Sequence, residues 1–345
     1  MQKKINSEVM KSLNKNRIIR LIRELSCSRA DLAKNTGLTK AAVSIICEEL
    51  MERDLIVEGE KDTANPGRPA TRLLLNGKYG CFGGIYISRS GFVAGICDFC
   101  GNVLAEERGE ISGTDAKAIY SNIIFRLKDL VRTRNLLGVG VTAPGPQDRE
   151  RGKLLKISNF SAWNDLDLIS PLKESFDCPI LLDNVSNALA RAEFYKNEFC
   201  GKKYLELIID DGFGSSLAEV ADEIKLRECE LGHTTVNMRG ERCDCGNIGC
   251  AELYVNEKRF YSPDTADRDL FFDALAAVIA NAVNGFSAEK VVFQGSVFKD
   301  FDGFAKTLTE RLQGRLKKIP DFVRSALNRQ ETFVACNLCI DTAIF

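Results

Sequence analysis

Histidine is almost absent from this chain: His233 is the only one among 345 residues, so any imidazole ligand must be that one. Long apolar runs are missing too. The most apolar helical stretch, about Ala274 to Val283, is short and broken by Asn281, which argues against a bilayer span. The opening MQKKINSEVM is basic but has neither an apolar core nor a cleavage site, so no secretion signal is read there. Neither sign of charge dominates, the net charge being −1. Thirteen cysteines are present, but they are scattered and lack the framework of a small disulfide-stapled domain. A reducing, cytoplasmic location is expected, and within it a nucleoid-associated protein if the N-terminal reading below holds.

The charge is unevenly placed. Residues 1–78 hold 15 Lys and Arg against 10 Asp and Glu, a balance of +5, which leaves −6 for the remainder. A basic head on an acidic body hints at nucleic-acid contact, although charge alone would equally fit an ordinary surface fluctuation. The head has a pattern of its own. Ile18, Ile19, Leu21, Ile22 and Leu25 recur at helical spacing. Ser28-Arg-Ala-Asp31 is a capping-box start with Asp for the usual Glu. Gly37 supplies a tight turn, and a further helix runs from about Thr39 to Arg53 with Val43, Ile46 and Leu50 inward. Helix, turn and helix in this order predict a helix-turn-helix. Thr39, Lys40, Ala41, Ser44 and Ile45 then lie on the outer face at the start of the second helix, where side chains reach base edges, with Ser28 and Arg29 nearby. Leu55–Val57 and Arg72–Leu75 read as the two strands of a wing. Between them Pro66 and Pro69 hold the chain extended around Arg68, an arginine suited to a narrow minor groove. The alternative is a small helical module for protein contacts with a Pro-rich linker.

Beyond Asn76 strands and helices alternate. Strands are expected at Phe82–Ser88, Phe92–Asp98, Val103–Ala105, Leu137–Val141, Pro179–Leu182, Leu205–Ile209 and Val291–Phe293, and helices at Ala116–Arg132 and from Asn184 to Phe194. Asp211–Ser216 reads as a glycine-bearing loop at a strand end. Such units predict an α/β body with its sites at the strand ends. Within it, Glu230 to Glu252 carries His233 followed by Cys243, Cys245 and Cys250, with Gly246 and Gly249 between the thiols. One imidazole and three thiolates are the donor set of a closed structural zinc site. The competing reading is a coincidental set of reduced cysteines.

These segments together resemble the ROK family of repressors and sugar kinases, specifically its winged-helix transcriptional repressor branch. The resemblance spans nearly the whole chain. It is carried by Gly138–Pro146, Asn159–Trp163, Asp183–Ala188, Glu230-Leu-Gly-His233 and the cysteine cluster ending at Glu252. It implies an α+β, α/β multidomain chain: a winged helix-turn-helix over about 1–76, then a two-lobed actin-like, ribonuclease-H-like body over 77–345. Lobe 1 would span about 77–184 plus the C-terminal segment, and lobe 2 about 185–325. The resemblance also implies zinc on His233, Cys243, Cys245 and Cys250, and sugar contacts from Gly145, Asn159, Asn184, Glu230, His233 and Glu252. The expected partners are a double-stranded DNA operator, a sugar or sugar-derivative effector, a second copy of the chain and, in some members of the branch, a regulatory protein; a membrane is not among them.

Two departures argue against catalysis. Active family members carry an Asp-x-Gly-Gly-Thr phosphate loop, where this chain has Tyr86-Ile-Ser-Arg-Ser90. Side chains there obstruct the backbone N–H groups that a phosphate needs. The family's base is the Asp of Asn-Asp-x-Asn, where this chain has Asn184-Val-Ser-Asn187. Valine cannot accept a hydroxyl proton. Asp183, two positions away, is a poor substitute that could point the same way from its strand end. Asp211–Gly214 retains part of a second phosphate loop but reads more readily as a tight turn. The C-terminus, ending at Asp341–Phe345, is also expected to be shorter than the family's usual last helix. The expectation is a regulator with a zinc-braced, inactive sugar sensor. The alternatives are a sugar kinase with a DNA-binding head, or a regulator that answers to a protein partner.

Overall fold

The computed structural model describes residues 7–62, 70–155, 157, 160–196, 202–210, 212–220, 224–295, 297–327 and 330–340. The expected Asn159 contact, Arg68 in the Pro-rich link and Asp211 therefore lie outside the described residues.

The head begins with α1 (Ser7–Leu25), longer than its apolar spacing predicts, followed by α2 (Arg29–Thr36) and α3 (Lys40–Glu52). Both halves of the Ser28–Asp31 capping box form, and Gly37 closes α2 at φ 72°, in the left-handed region that glycine adopts without strain. Strands β1 (Ile56–Asp62) and β2 (Ala70–Leu75) pair antiparallel with Ile56 opposite Leu75. Leu73 N–H donates to Cys27 O at 3.0 Å, tying this hairpin to the link between α1 and α2. Ile18, Ile22, Leu32, Val43, Leu50 and Leu73 are fully or nearly fully buried together.

The body holds two five-stranded sheets with the same connectivity. The first is laid down by β3 (Cys81–Ile87), β4 (Gly91–Asp98), β5 (Val103–Glu110), then α4 (Ala116–Val131), β6 (Leu136–Ala143), the short hairpin β7 (Gln147–Asp148) and β8 (Lys153–Leu154), α5 (Ser170–Ser175) and β9 (Ile180–Asn184). Its order is β5-β4-β3-β6-β9, with β3–β4–β5 antiparallel and β6 and β9 parallel to β3. Helix α6 (Val185–Lys196) then crosses to the second sheet, formed by β10 (Lys203–Ile209), β11 (Phe213–Val220) and β12 (Ile224–Glu228). After α7 (Glu257–Phe260) and α8 (Thr265–Phe286) come β13 (Lys290–Gly295), α9 (Phe301–Leu312) and β14 (Asp321–Arg324). The order β12-β11-β10-β13-β14 repeats the first sheet: an antiparallel meander, then two strands parallel to its first member.

Three expectations change. The Asp211–Ser216 loop is mostly strand: β10 turns tightly and β11 starts at Phe213, with Ile209 opposite Phe213. The apolar helix is longer than its sequence suggests: α8 has 22 residues and by length and composition could cross a bilayer. Instead Phe271, Leu275, Val278 and Ile279 bury it in the core shared with the second sheet and α9. The C-terminal segment does supply a last helix, α10 (Glu331–Ile340), which lies on β3, β4 and β6 and also touches α6. The first sheet admits it because glycines face it. A Cβ on Gly140 would collide with Ala335 O, and one on Gly84 would press on Ala335 and Cys336. Gly140→Ala should therefore cost roughly 1–3 kcal/mol or more by overpacking against backbone, read from the urea midpoint.

Glu206 on β10 is fully buried, and neither of its carboxylate oxygens has a hydrogen-bond partner among the described residues. Burial first, then the buried neighbour Glu193, push its pKa well above the ordinary 4.5. The folded state keeps this proton after the unfolded chain has lost it. The associated stability is full below pH 4.5 and falls as pH rises through the folded value. Urea midpoints measured from pH 4 upward should show this decline, and Glu206→Gln should flatten that part of it.

Candidate functional site: a cleft between the sheets, floored by a His–Cys₃ cluster

Between the two sheets lies a cleft of about 860 Å³. One wall comes from the end of β3 with Tyr86, from the Ser88–Ser90 turn and from the Gly145 loop after β6. The other comes from the β10–β11 turn and the segment Glu228 to Glu252. Asn184 and Val185, at the start of α6, line its back. Of the residues expected to contact a sugar, Gly145, Asn184, Glu230, His233 and Glu252 all face this one space.

The floor is built by a tightly turned loop. Leu231–His233 forms one turn of 3₁₀ helix, with His233 N–H donating to Glu230 O at 3.0 Å. The chain then folds back so that Cys243 N–H donates to Asn247 O and Gly246 N–H to Cys243 O, each at 2.8 Å. Gly249 has φ 64°, and a Cβ there would strike Asn237 O, so only glycine lets the two arms approach. Asn247 Nδ2 ties the loop to His233 O at 3.0 Å. His233, Cys243, Cys245 and Cys250 thereby place their donor atoms within 4.8 Å of one another. Cys243 Sγ lies 3.7 Å from His233 Nδ1, and Cys245 Sγ 3.6 Å from Cys250 Sγ. A tetrahedron with metal–sulfur bonds of about 2.3 Å has edges of about 3.7 Å, so these four residues fit a metal ion. Burial first, then the neighbouring thiols, push Cys250 up to about 12, a cost that a divalent cation would offset by stabilising thiolates. Cys245→Ser should abolish metal retention measured by atomic emission and lower the melting temperature. An unchanged metal content and melting temperature would contradict the ligand assignment.

Just before the start of α6, the Asp183 carboxylate is already engaged. Asp183 Oδ1 accepts from Arg149 Nη2 at 2.5 Å, from its neighbour's Asn184 N–H at 2.8 Å and from Asn187 Nδ2 at 3.0 Å. Asn184 Oδ1 accepts from Asn187 N–H at 2.7 Å, capping α6. Arg149 also reaches Glu228 across the cleft at 3.7 Å. Glu228 is raised above its ordinary carboxyl range, by desolvation first, against a hydrogen bond from Asn184. Val185 presents no acid or base. Tyr86 is likewise unsuited: burial, then Glu331 and Asp210, raise its phenol above the ordinary value, so it stays neutral.

In the head, Thr39 caps α3 by accepting from Ala42 N–H at 3.2 Å. Thr39, Lys40, Ala41 and Ile45 are exposed along the start of that helix, Ile45 at 55%, and Ser44 is half-buried beside them. Ser28 and Arg29 stand apart from this face in their bonding. Ser28 is buried in the capping box, and Arg29 Nη1 donates to Glu58 on β1 at 3.0 Å. Sequence reasoning missed Arg89 and Glu228 in the cleft and Arg149 bonded beside it. Arg149 and Glu228 carried no local signal, because only the fold brings the turn after β7 and the end of β12 to the end of β9. Arg89 stood in the altered phosphate-loop string, but as an obstruction and not as a partner of the opposite wall.

Paired sheets of this topology around a central cleft define an actin-like two-lobed body. The ROK family profile matches residues 82–263, and this chain belongs to the ROK family. It is 29% identical over 269 residues to the xylose repressor of Caldicellulosiruptor bescii, covering 74% of this chain and 67% of that protein. In fold it is similar over 97% of its length to a ROK family transcriptional regulator described as a homolog of the E. coli MLC protein, with TM-score 0.78, 21% identity and 96% of that chain covered. It is also similar to the ROK hexokinase of Thermus thermophilus, with TM-score 0.62 and 20% identity over 75% of this chain and 97% of that one. The alignment with the regulator takes in the head, whereas the hexokinase match covers a length close to that of the body.

Proposed function

We propose that this chain is a DNA-binding transcriptional repressor whose body senses a sugar without phosphorylating it. The observation that carries the reading is the composition of the cleft. Polar groups suited to a polyol converge on it, but the position of a general base holds Val185 and the adjacent Asp183 is spent on Arg149, Asn184 and Asn187. Such a cleft can recognise a hydroxylated ligand, while Val185, at the position of the family's base, offers no group to take its proton. Zinc on His233, Cys243, Cys245 and Cys250 would brace the wall that carries Glu230 and Glu252, and would supply no chemistry beyond that.

The head, residues 1–76 in this reading, acts as a winged helix-turn-helix. The N-terminal half of α3 enters the major groove with Thr39, Lys40, Ala41, Ser44 and Ile45, and the β1–β2 hairpin serves as the wing. The body, residues 77–345, communicates with the head through α6. The start of α6 lines the cleft, and Phe194 near its other end packs under Arg20 of α1, 5.6 Å from guanidinium carbon to ring centroid. A ligand that moves one sheet against the other shifts α6 and with it the orientation of the head. Affinity for paired half-sites then changes, because half-site spacing must match the spacing of two heads.

The test is fluorescence anisotropy on DNA from the region upstream of the gene, with and without a panel of pentoses, hexoses and N-acetylhexosamines. Binding at modest salt, weakened by one sugar of the panel, is expected; no binding at any salt would sink the reading. Arg20→Ala should keep DNA affinity within a few-fold while reducing the sugar response. A full response in that variant would show that α6 does not carry the signal through this contact.

A further inference from the structure

The two sheets share one topology, so each offers an equivalent turn to the cleft. From the first comes the β3–β4 turn, Ser88–Ser90; from the second comes the β10–β11 turn at Gly212. These turns meet. The Arg89 guanidinium lies against Gly212, where a Cβ would collide with its Nη1. Its Nη2 is 4.0 Å from Glu252 Oε2. That same oxygen accepts from Phe213 N–H at 3.2 Å, which fixes Glu252 against the second turn. Both side chains are largely withdrawn from solvent, at 27% and 15% exposed, and Arg89 Nε has no hydrogen-bond partner among the described residues. Arg89 thus bridges the lobes and does so on an acid that faces the ligand space.

We propose that Arg89 is an internal competitor for the effector: in the sugar-free protein it holds Glu252 across the cleft, and a sugar hydroxyl gains Glu252 by displacing it. The inference rests on the sugar-sensor reading and deepens it. A hydroxyl donating to Glu252 Oε2 competes with the guanidinium 4.0 Å away for that oxygen. Each binding event therefore trades a bond between the lobes for a bond to ligand, so affinity and lobe release are set by the same residue. Gly212 is part of the device, since any side chain there removes the seat on which Arg89 rests.

Isothermal titration with D-xylose and with D-glucose tests this on the full chain. Arg89→Gln should tighten sugar binding by roughly two- to five-fold, the range expected for losing a partly screened ion pair. Gly212→Ala, which keeps the charge but unseats it, should move affinity in the same direction, while Glu252→Gln should weaken it. Weaker or unchanged binding in Arg89→Gln would overturn the proposal, the first making Arg89 a sugar contact and the second a bystander. If no sugar binds either wild type or Arg89→Gln, the sensor reading falls, and the bridge itself is judged by small-angle scattering of the ligand-free proteins. A larger radius of gyration in Arg89→Gln than in wild type supports the bridge, and identical scattering overturns it.

Discussion

The cleft depends on where helix α6 begins. Its first turn is pinned by Asn184 Oδ1 on Asn187 N–H and by Asp183 Oδ1 on Asn187 Nδ2, and Asn187 Oδ1 in turn accepts from Ser216 Oγ on the second sheet. These bonds are buried, where an unmet polar group is costly, so the junction between the sheets is held by partners that must all be kept together. Everything functional is referred to that point. Val185 and Asn184 face the ligand space because the helix starts there, Glu228 and Arg149 meet beside it, and Phe194 reaches α1 because the helix is twelve residues long.

The same junction also fixes the carboxylate at the strand end. A carboxylate at the strand end is still present in Asp183, but three donors converge on one of its oxygens. Such a group stabilises structure, because releasing it would give up its bonds to Arg149, Asn184 and Asn187 together. The opposite end of the cleft holds Tyr86 and Arg89. There Arg89 reaches the facing turn, against Gly212 and near Glu252.

Much of this was legible in the sequence. The His233–Cys250 cluster is local, its spacing is diagnostic of donor chemistry, and the structure brings those four donors together. The capping box at Ser28 and the turn at Gly37 are local as well, and both form as their residues suggest. What the sequence hid is non-local. No spacing announces that Arg149, in the turn after a two-residue strand, meets Asp183 thirty-four positions later, or that two turns far apart in sequence oppose each other through Arg89 and Gly212. Helix α10 was not read as an element of its own, and its place is fixed by glycines on the sheet beneath it. Strand β11 was mistaken for a loop because its Gly-x-Gly-Ser-Ser start has the composition of a turn, while its pairing with β10 overrides that propensity.

The central claim is recognition without transfer, and one paired measurement addresses it directly. Calorimetry identifies a sugar that binds, and the same sample, given that sugar at saturation with ATP and magnesium, is followed for ADP release. The account predicts a binding heat and no sugar-dependent ADP release above the rate of an enzyme-free control. Sugar-dependent release of ADP would contradict it and would make the cleft an active site.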